Sequence, residues 1–178
     1  MTTMLSDVDF ASSGLDVQAA MVRAVKSYGK KIDGSCGILW NGRVVLGGDR
    51  IPCGKRGLVR LELLHFSEDV EQGVDLKVDG YFELLHGEKV PLLRTWADAR
   101  YEDVVEYPYF SKSGLIHVWN VFKRRFPNGQ TLEDRWTGNA GFWIEELSPT
   151  DRIYHCSHGM ADAPDFEALR FRVSVFPQ

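Results

Sequence analysis

Turn chemistry recurs at close intervals from Cys36 to the C-terminus, and this punctuation limits the fold more than any other feature. Asn41-Gly42 sits between the apolar arms Ile38-Leu39-Trp40 and Val44-Val45-Leu46, the strongest short-range hairpin signal a sequence carries. Beyond it, alternating or apolar runs at 58–65, 74–78, 81–85, 90–96, 103–107, 115–124, 131–136, 142–147, 153–158 and 169–176 read as strands. They are separated by Asp79-Gly80, His86-Gly87-Glu88-Lys89, Ser111-Lys112-Ser113-Gly114, Pro127-Asn128-Gly129 and Ser148-Pro149-Thr150-Asp151. Links this short pair neighbouring strands antiparallel, because a parallel pair needs a crossover of about a dozen residues.

The predicted class is therefore mainly β: a long antiparallel meander over 36–176, closed as a barrel or packed as a two-sheet sandwich, since a flat sheet that wide would curl or split. Base rates for strand content predict that two or three of these strands are false or merged. One amphipathic helix is predicted over 15–28, with Leu15, Ala19, Val22 and Val25 on the stripe that packs against the sheet, Ser13 and Asp16 at its start and Gly29 at its stop. Residues 1–12 read as flexible. The segment 47–57, rich in glycine and carrying Arg50, Lys55 and Arg56, reads as the most mobile loop. With 178 residues the whole chain, 1–178, is one domain.

Charge and cysteine content narrow the function classes. Lys plus Arg number 21 against 25 Asp plus Glu, a net charge of -4, which disfavours nucleic acid as a partner. No secretory signal opens the chain and charged residues interrupt every apolar run, so no membrane association is expected. Cys36, Cys53 and Cys156 are an odd number without CxxC spacing, which fits a reduced, cytoplasmic setting and neither a disulfide framework nor a thiolate metal site.

Four of the five tryptophans lie two residues from an ionisable group on the same strand face: Trp96 with Arg94, Trp119 with His117, Trp136 with Asp134, and Trp143 with Glu145. If these faces converge, they make an aromatic pocket for a small apolar or aromatic molecule with a polar end. Arg94, Trp96, Trp119, Trp136, Trp143, Tyr154 and His158 would contact that ligand, and Asp134, Glu145 or His117 would act as general acid or base. The matching activity is that of an isomerase, cyclase or lyase working without metal, nucleotide or other cofactor. The competing reading makes Asp134 and Glu145 structural carboxylates, paired with Arg94, Arg170 or Arg172 or lying at the sheet rim. His155 and His158 point to opposite faces of a strand and cannot share a metal ion there, and Cys156 reads as a buried inert thiol. The turn Trp136-Thr137-Gly138-Asn139-Ala140-Gly141 reads as a tight loop with Asn139 at positive φ.

A second function class stays open. Tyr101, Glu102, Glu106, Tyr107 and Tyr109 interleave tyrosine with acid, as protein interfaces do, and could dock a protein partner in the manner of an inhibitor or immunity protein. Antiparallel edge strands could also pair two copies into a homodimer.

Overall fold

In the computed structural model, which describes residues 2–178, the Asn41-Gly42 pair forms the expected tight hairpin, with Asn41 at φ 49° and Gly42 at φ 73°. Both turn amides donate to the Asp9 carboxylate, and these backbone bonds, with that from Ala11, hold its pKa below the ordinary value. In chain order the elements are β1 (Thr2–Asp9), α1 (Val17–Tyr28), β2 (Ser35–Trp40), β3 (Arg43–Leu46), β4 (Asp49–Pro52) and β5 (Arg56–Phe66). Then follow β6 (Gln72–Glu83), β7 (Lys89–Trp96), β8 (Val104–Arg125), β9 (Thr131–Asp134), β10 (Gly141–Ser148), β11 (Asp151–Ser157) and β12 (Leu169–Pro177).

All twelve strands share one sheet, ordered β1-β2-β3-β10-β11-β12-β5-β8-β6-β7, with β4 and β9 both added to β8. The mainly antiparallel β class holds. The sheet is not closed into a barrel: its path has two ends, β1 and β7. It curls instead around one apolar cluster to which Phe142 of β10, Tyr154 of β11 and Phe171 of β12 contribute alongside Val118 of β8 and Leu76 of β6.

The departures from the sequence reading have local causes. Residues 2–9, expected to be flexible, form β1 and pair parallel with β2, so the meander is not antiparallel throughout. The helix supplies the crossover that a parallel pair requires. Asp79-Gly80 and Ser111-Lys112-Ser113-Gly114, read as hairpin turns, lie opposite each other inside two long strands. The register jumps between Val78 and Gly80, facing extra residues on β8, so these are paired bulges that bend one ribbon. Segments 74–78 and 81–83 are therefore both β6, and 104–107 and 115–124 are both β8. The segment 47–57, read as a mobile loop, contains β4, whose residues pair with 115–118 of β8.

The helix starts at the Asp16 cap, whose side chain accepts from the Ala19 amide, and stops at Gly29 at φ 66°. Its core-facing residues are Val17, Ala20, Met21 and Ala24, which pack on Ile38, Trp40 and Val45 in a second apolar cluster. The stripe predicted to be buried faces elsewhere: Val22 is 52% and Val25 41% exposed. The helix carries two apolar stripes, and periodicity alone does not choose between them. In the turn before β10 the positive φ belongs to Gly138 (57°) and not to Asn139. Asn139 is buried, accepting from the Val17 amide and donating to the Ala161 carbonyl, so it fastens the helix N-terminus to the sheet.

Candidate functional site

Because α1 covers β1 to β3 and stops short of β4, β8 and β6, a groove of about 930 Å³ runs between the helix flank and the sheet. The exposed stripe, Val22 and Val25 with Met21, forms one wall. Across the sheet, register sets the floor. Arg50 of β4 is the direct partner of His117 of β8, which is in turn the partner of Lys77 of β6. Direct partners on adjacent strands project to the same face, so the three basic side chains form a row. One pleat further along β8, Trp119 lies on that face too.

The far wall is aromatic. Trp119 and Trp136 have ring centroids 6.5 Å apart at 52°, and the Arg135 guanidinium lies 4.8 Å from the first ring and 4.1 Å from the second. Trp136, 51% exposed, is tied down by its indole N–H, which donates to the Gly47 carbonyl at 2.9 Å. Trp119 is buried and its Nε1 has no hydrogen-bond partner. Cys36, half-buried at the start of β2, also lines the groove, and burial pushes its thiol pKa up.

Electrostatically the groove is basic inside an acidic protein. Lys26, Arg50, Lys77 and Arg135 line it, against Asp79 and Asp49. The Asp49 carboxylate is already engaged, accepting from Arg152 Nη1 and from the Tyr154 hydroxyl, each at 2.7 Å. Burial, then the charges of Arg50 and Lys77, lower the His117 pKa against a smaller opposing pull from Asp49. His117 is therefore a neutral imidazole at neutral pH, and its ring makes no hydrogen bond among the described residues.

The predicted site residues do not converge. His117, Trp119 and Trp136 line the groove; Arg94, Trp96, Trp143, Tyr154, His158, Asp134 and Glu145 do not. Arg94 grips the fully buried Asp75 through two bonds of 2.8 Å and also meets Glu133, with Trp96 beside it. Asp134 is structural, accepting from the Arg135 amide and the Thr137 hydroxyl, with Arg124 at 3.8 Å. Glu145 belongs to a separate stack, where Trp143 lies 3.8 Å from the His155 ring and under the Arg43 guanidinium at 4.0 Å. The His155 ring nitrogens meet Glu145 at 3.3 Å and Glu167 at 3.0 Å.

Tyr154 is fully buried, stacked on Phe171 at 4.7 Å, and cannot touch a ligand. Its pKa is pushed well up by burial and then by Asp49. His158 is buried, meeting Asp69 at 3.3 Å and accepting from the Met160 amide.

The acidic tyrosine segment is also divided. Tyr101 is 71% exposed and Glu102 is exposed beside it, but Tyr109 is buried with its hydroxyl on the Cys53 carbonyl. Tyr107 packs against the main core and Glu106 pairs with Arg60. Sequence reasoning missed Arg50, Lys77, Cys36 and the exposed helix stripe as groove residues. The doubled apolar periodicity of 15–25 was the available signal for the last of these. No group of His, Cys, Asp and Glu suited to a metal ion occurs among the described residues, and none of their helices is long and apolar enough to cross a membrane. Comparison with known protein families, curated proteins and solved structures finds no match to this chain.

Proposed function

We propose that this protein binds a small molecule with an apolar or aromatic body in the groove between α1 and the β4-β8-β6 face. The observation that carries the reading is the exposed Val22 and Val25 stripe facing a wall built from Trp119 and Trp136. Two apolar surfaces held apart by a fold that buries its other helix stripe favour filling by an apolar guest. Binding is supported over isomerisation, because Asp134 and Glu145 are engaged elsewhere and His117 has no carboxylate bonded to it to orient a proton transfer. The protein-docking alternative has less support, since Tyr109 is buried and Tyr107 packs against the core, which takes two of the three tyrosines out of the face it needs.

The test uses the neutral probe N-phenyl-1-naphthylamine with the full chain. Its fluorescence is expected to rise and shift to the blue on binding. Trp136→Ala is expected to weaken binding by roughly tenfold, the value of one lost aromatic contact with its burial. Trp136 is half exposed, so this variant keeps its fold. Unchanged probe affinity in Trp136→Ala, at a native melting temperature, overturns the reading.

A further inference from the structure

Resting on that groove reading, we infer that the ligand is an organic acid, a singly charged amphipathic molecule whose carboxylate seats on Arg50 and Lys77 on either side of His117. Its apolar body would lie along Val22, Val25 and Trp136.

Arg50, His117 and Lys77 stand in one row across three strands. Residues directly opposite on adjacent strands have Cβ atoms roughly 4.5–5.5 Å apart, so the two long cationic side chains flank the His117 ring closely enough for one carboxylate to meet both. Nine of the 21 lysines and arginines meet a carboxylate within 4.0 Å. Arg60, Arg94, Arg100, Lys123, Arg152 and Arg172 each meet a carboxylate within hydrogen-bonding range. Among the described cations without a carboxylate partner, Lys26, Arg50, Lys77 and Arg135 line this one groove, although the chain as a whole is acidic at -4.

Within the groove the possible partners are spoken for or at the margin: Asp49 is held by Arg152 and Tyr154, and Asp79 is exposed on β6. An incoming carboxylate would accept charge-assisted hydrogen bonds from the Arg50 guanidinium fork and the Lys77 ammonium. His117, kept neutral by burial and by its two cationic neighbours, adds no third positive charge and can offer an N–H to the same oxygen. The few cations and the apolar walls fit a small acid and not a polyanion, whose phosphates need an extended basic track.

The matched pair 1-naphthaleneacetic acid and 1-naphthaleneacetamide isolates the charge, because the two share one aromatic body. Titrated calorimetrically into the full chain, the acid is expected to bind at least roughly tenfold more tightly than the amide, as one hydrogen bond between charged groups predicts. The double variant Arg50→Gln/Lys77→Gln is expected to erase that preference by lowering acid affinity to the level of the amide, with circular dichroism showing the variant folded. Equal binding of acid and amide overturns the inference and leaves the groove reading standing. A preference that survives in the double variant overturns it as well, since the named cations then do not supply it. Failure of both compounds and of the neutral naphthylamine probe overturns the inference and the groove reading together.

Discussion

Asp49→Ala tests whether the curl of the sheet depends on one buried charge cluster. Asp49 lies on β4, which is hydrogen-bonded to β8, and its partners Arg152 and Tyr154 lie on β11, which pairs only with β10 and β12. Its carboxylate therefore clasps two parts of the sheet that share no ladder. The Asp49 and Arg152 side chains are 2% and 12% exposed. Burial pulls the Arg152 pKa down, and the Asp49 charge and hydrogen bond, with smaller contributions from Tyr154 and Glu146, together outweigh it and leave it above its ordinary value. Arg152 Nε has no partner, so Asp49 is the anion that justifies burying the guanidinium.

Removing the carboxylate strands this cation and leaves the Tyr154 hydroxyl without an acceptor. Breaking a buried pair costs about 3–5 kcal/mol and orphaning a buried hydroxyl about 1–3 kcal/mol; because one carboxylate serves both, about 4 kcal/mol is expected in total. For a chain of this size that is a melting-temperature loss of roughly 8–16 °C. Urea unfolding followed by circular dichroism measures it directly. Tyr154→Phe, which removes only one neutral donor, should cost about 1 kcal/mol. In Asp49→Ala/Arg152→Met the stranded charge is gone, and more than half of the loss should return. An Asp49→Ala cost below about 1 kcal/mol, or a double variant that costs the sum of the singles, would refute the clasp.

Two further outcomes follow from the groove. The His117 imidazole should titrate below the ordinary histidine range in an NMR experiment, and Arg50→Gln or Lys77→Gln should move it upward; a midpoint at or above the ordinary value would contradict the basic row. Because the lowered pKa means the unfolded chain takes up the proton first, this site's contribution is intact above about pH 6.5 and is lost as pH falls toward the folded value. A thiol reagent should label Cys36 in the native protein and reach Cys53 and Cys156 only on unfolding, since both are fully buried and burial raises the pKa of each. Labelled Cys36 should block the naphthylamine probe, and undiminished probe binding would place the ligand elsewhere.

The mainly β class was legible because turn residues and alternation are local signals, and the Asn41-Gly42 hairpin formed where its chemistry demanded. The pairing was not legible, for a reason visible at Asp79-Gly80. A glycine-containing pair that reverses a chain in isolation can equally absorb an extra residue in a long ladder, and the choice is made by the opposite strand. Here the opposite strand carries its own irregularity at 111–114, so both segments continue as bent strands. Likewise, no local rule shows that residues 2–9 have a parallel partner 33 residues away at the Thr2–Ser35 pair. The helix that makes this crossover was legible; the strand it serves was not.

The site was half legible for a related reason. Pairing each tryptophan with the ionisable group two residues away put three of the pairs each on one strand, but β9 ends at Asp134 and Trp136 lies in the bend beyond it, and a curled sheet has an inside and several outsides. Trp143 and Glu145 face Arg43 and His155, Trp96 and Arg94 face Asp75, and only Trp119 and His117 share the groove with Trp136. What gathers the groove residues is the Gly47-Gly48 step between β3 and β4. Leu46 still pairs across to Phe142 of β10, and three residues later Asp49 pairs with Val118 of β8. That step carries the chain from beneath the helix to the uncovered face and brings Arg50 beside His117. The step also anchors the aromatic wall, because the Gly47 carbonyl accepts the Trp136 indole N–H. The same two glycines made the segment read as a loop, because a sequence window records their freedom and not the two ladders that use it.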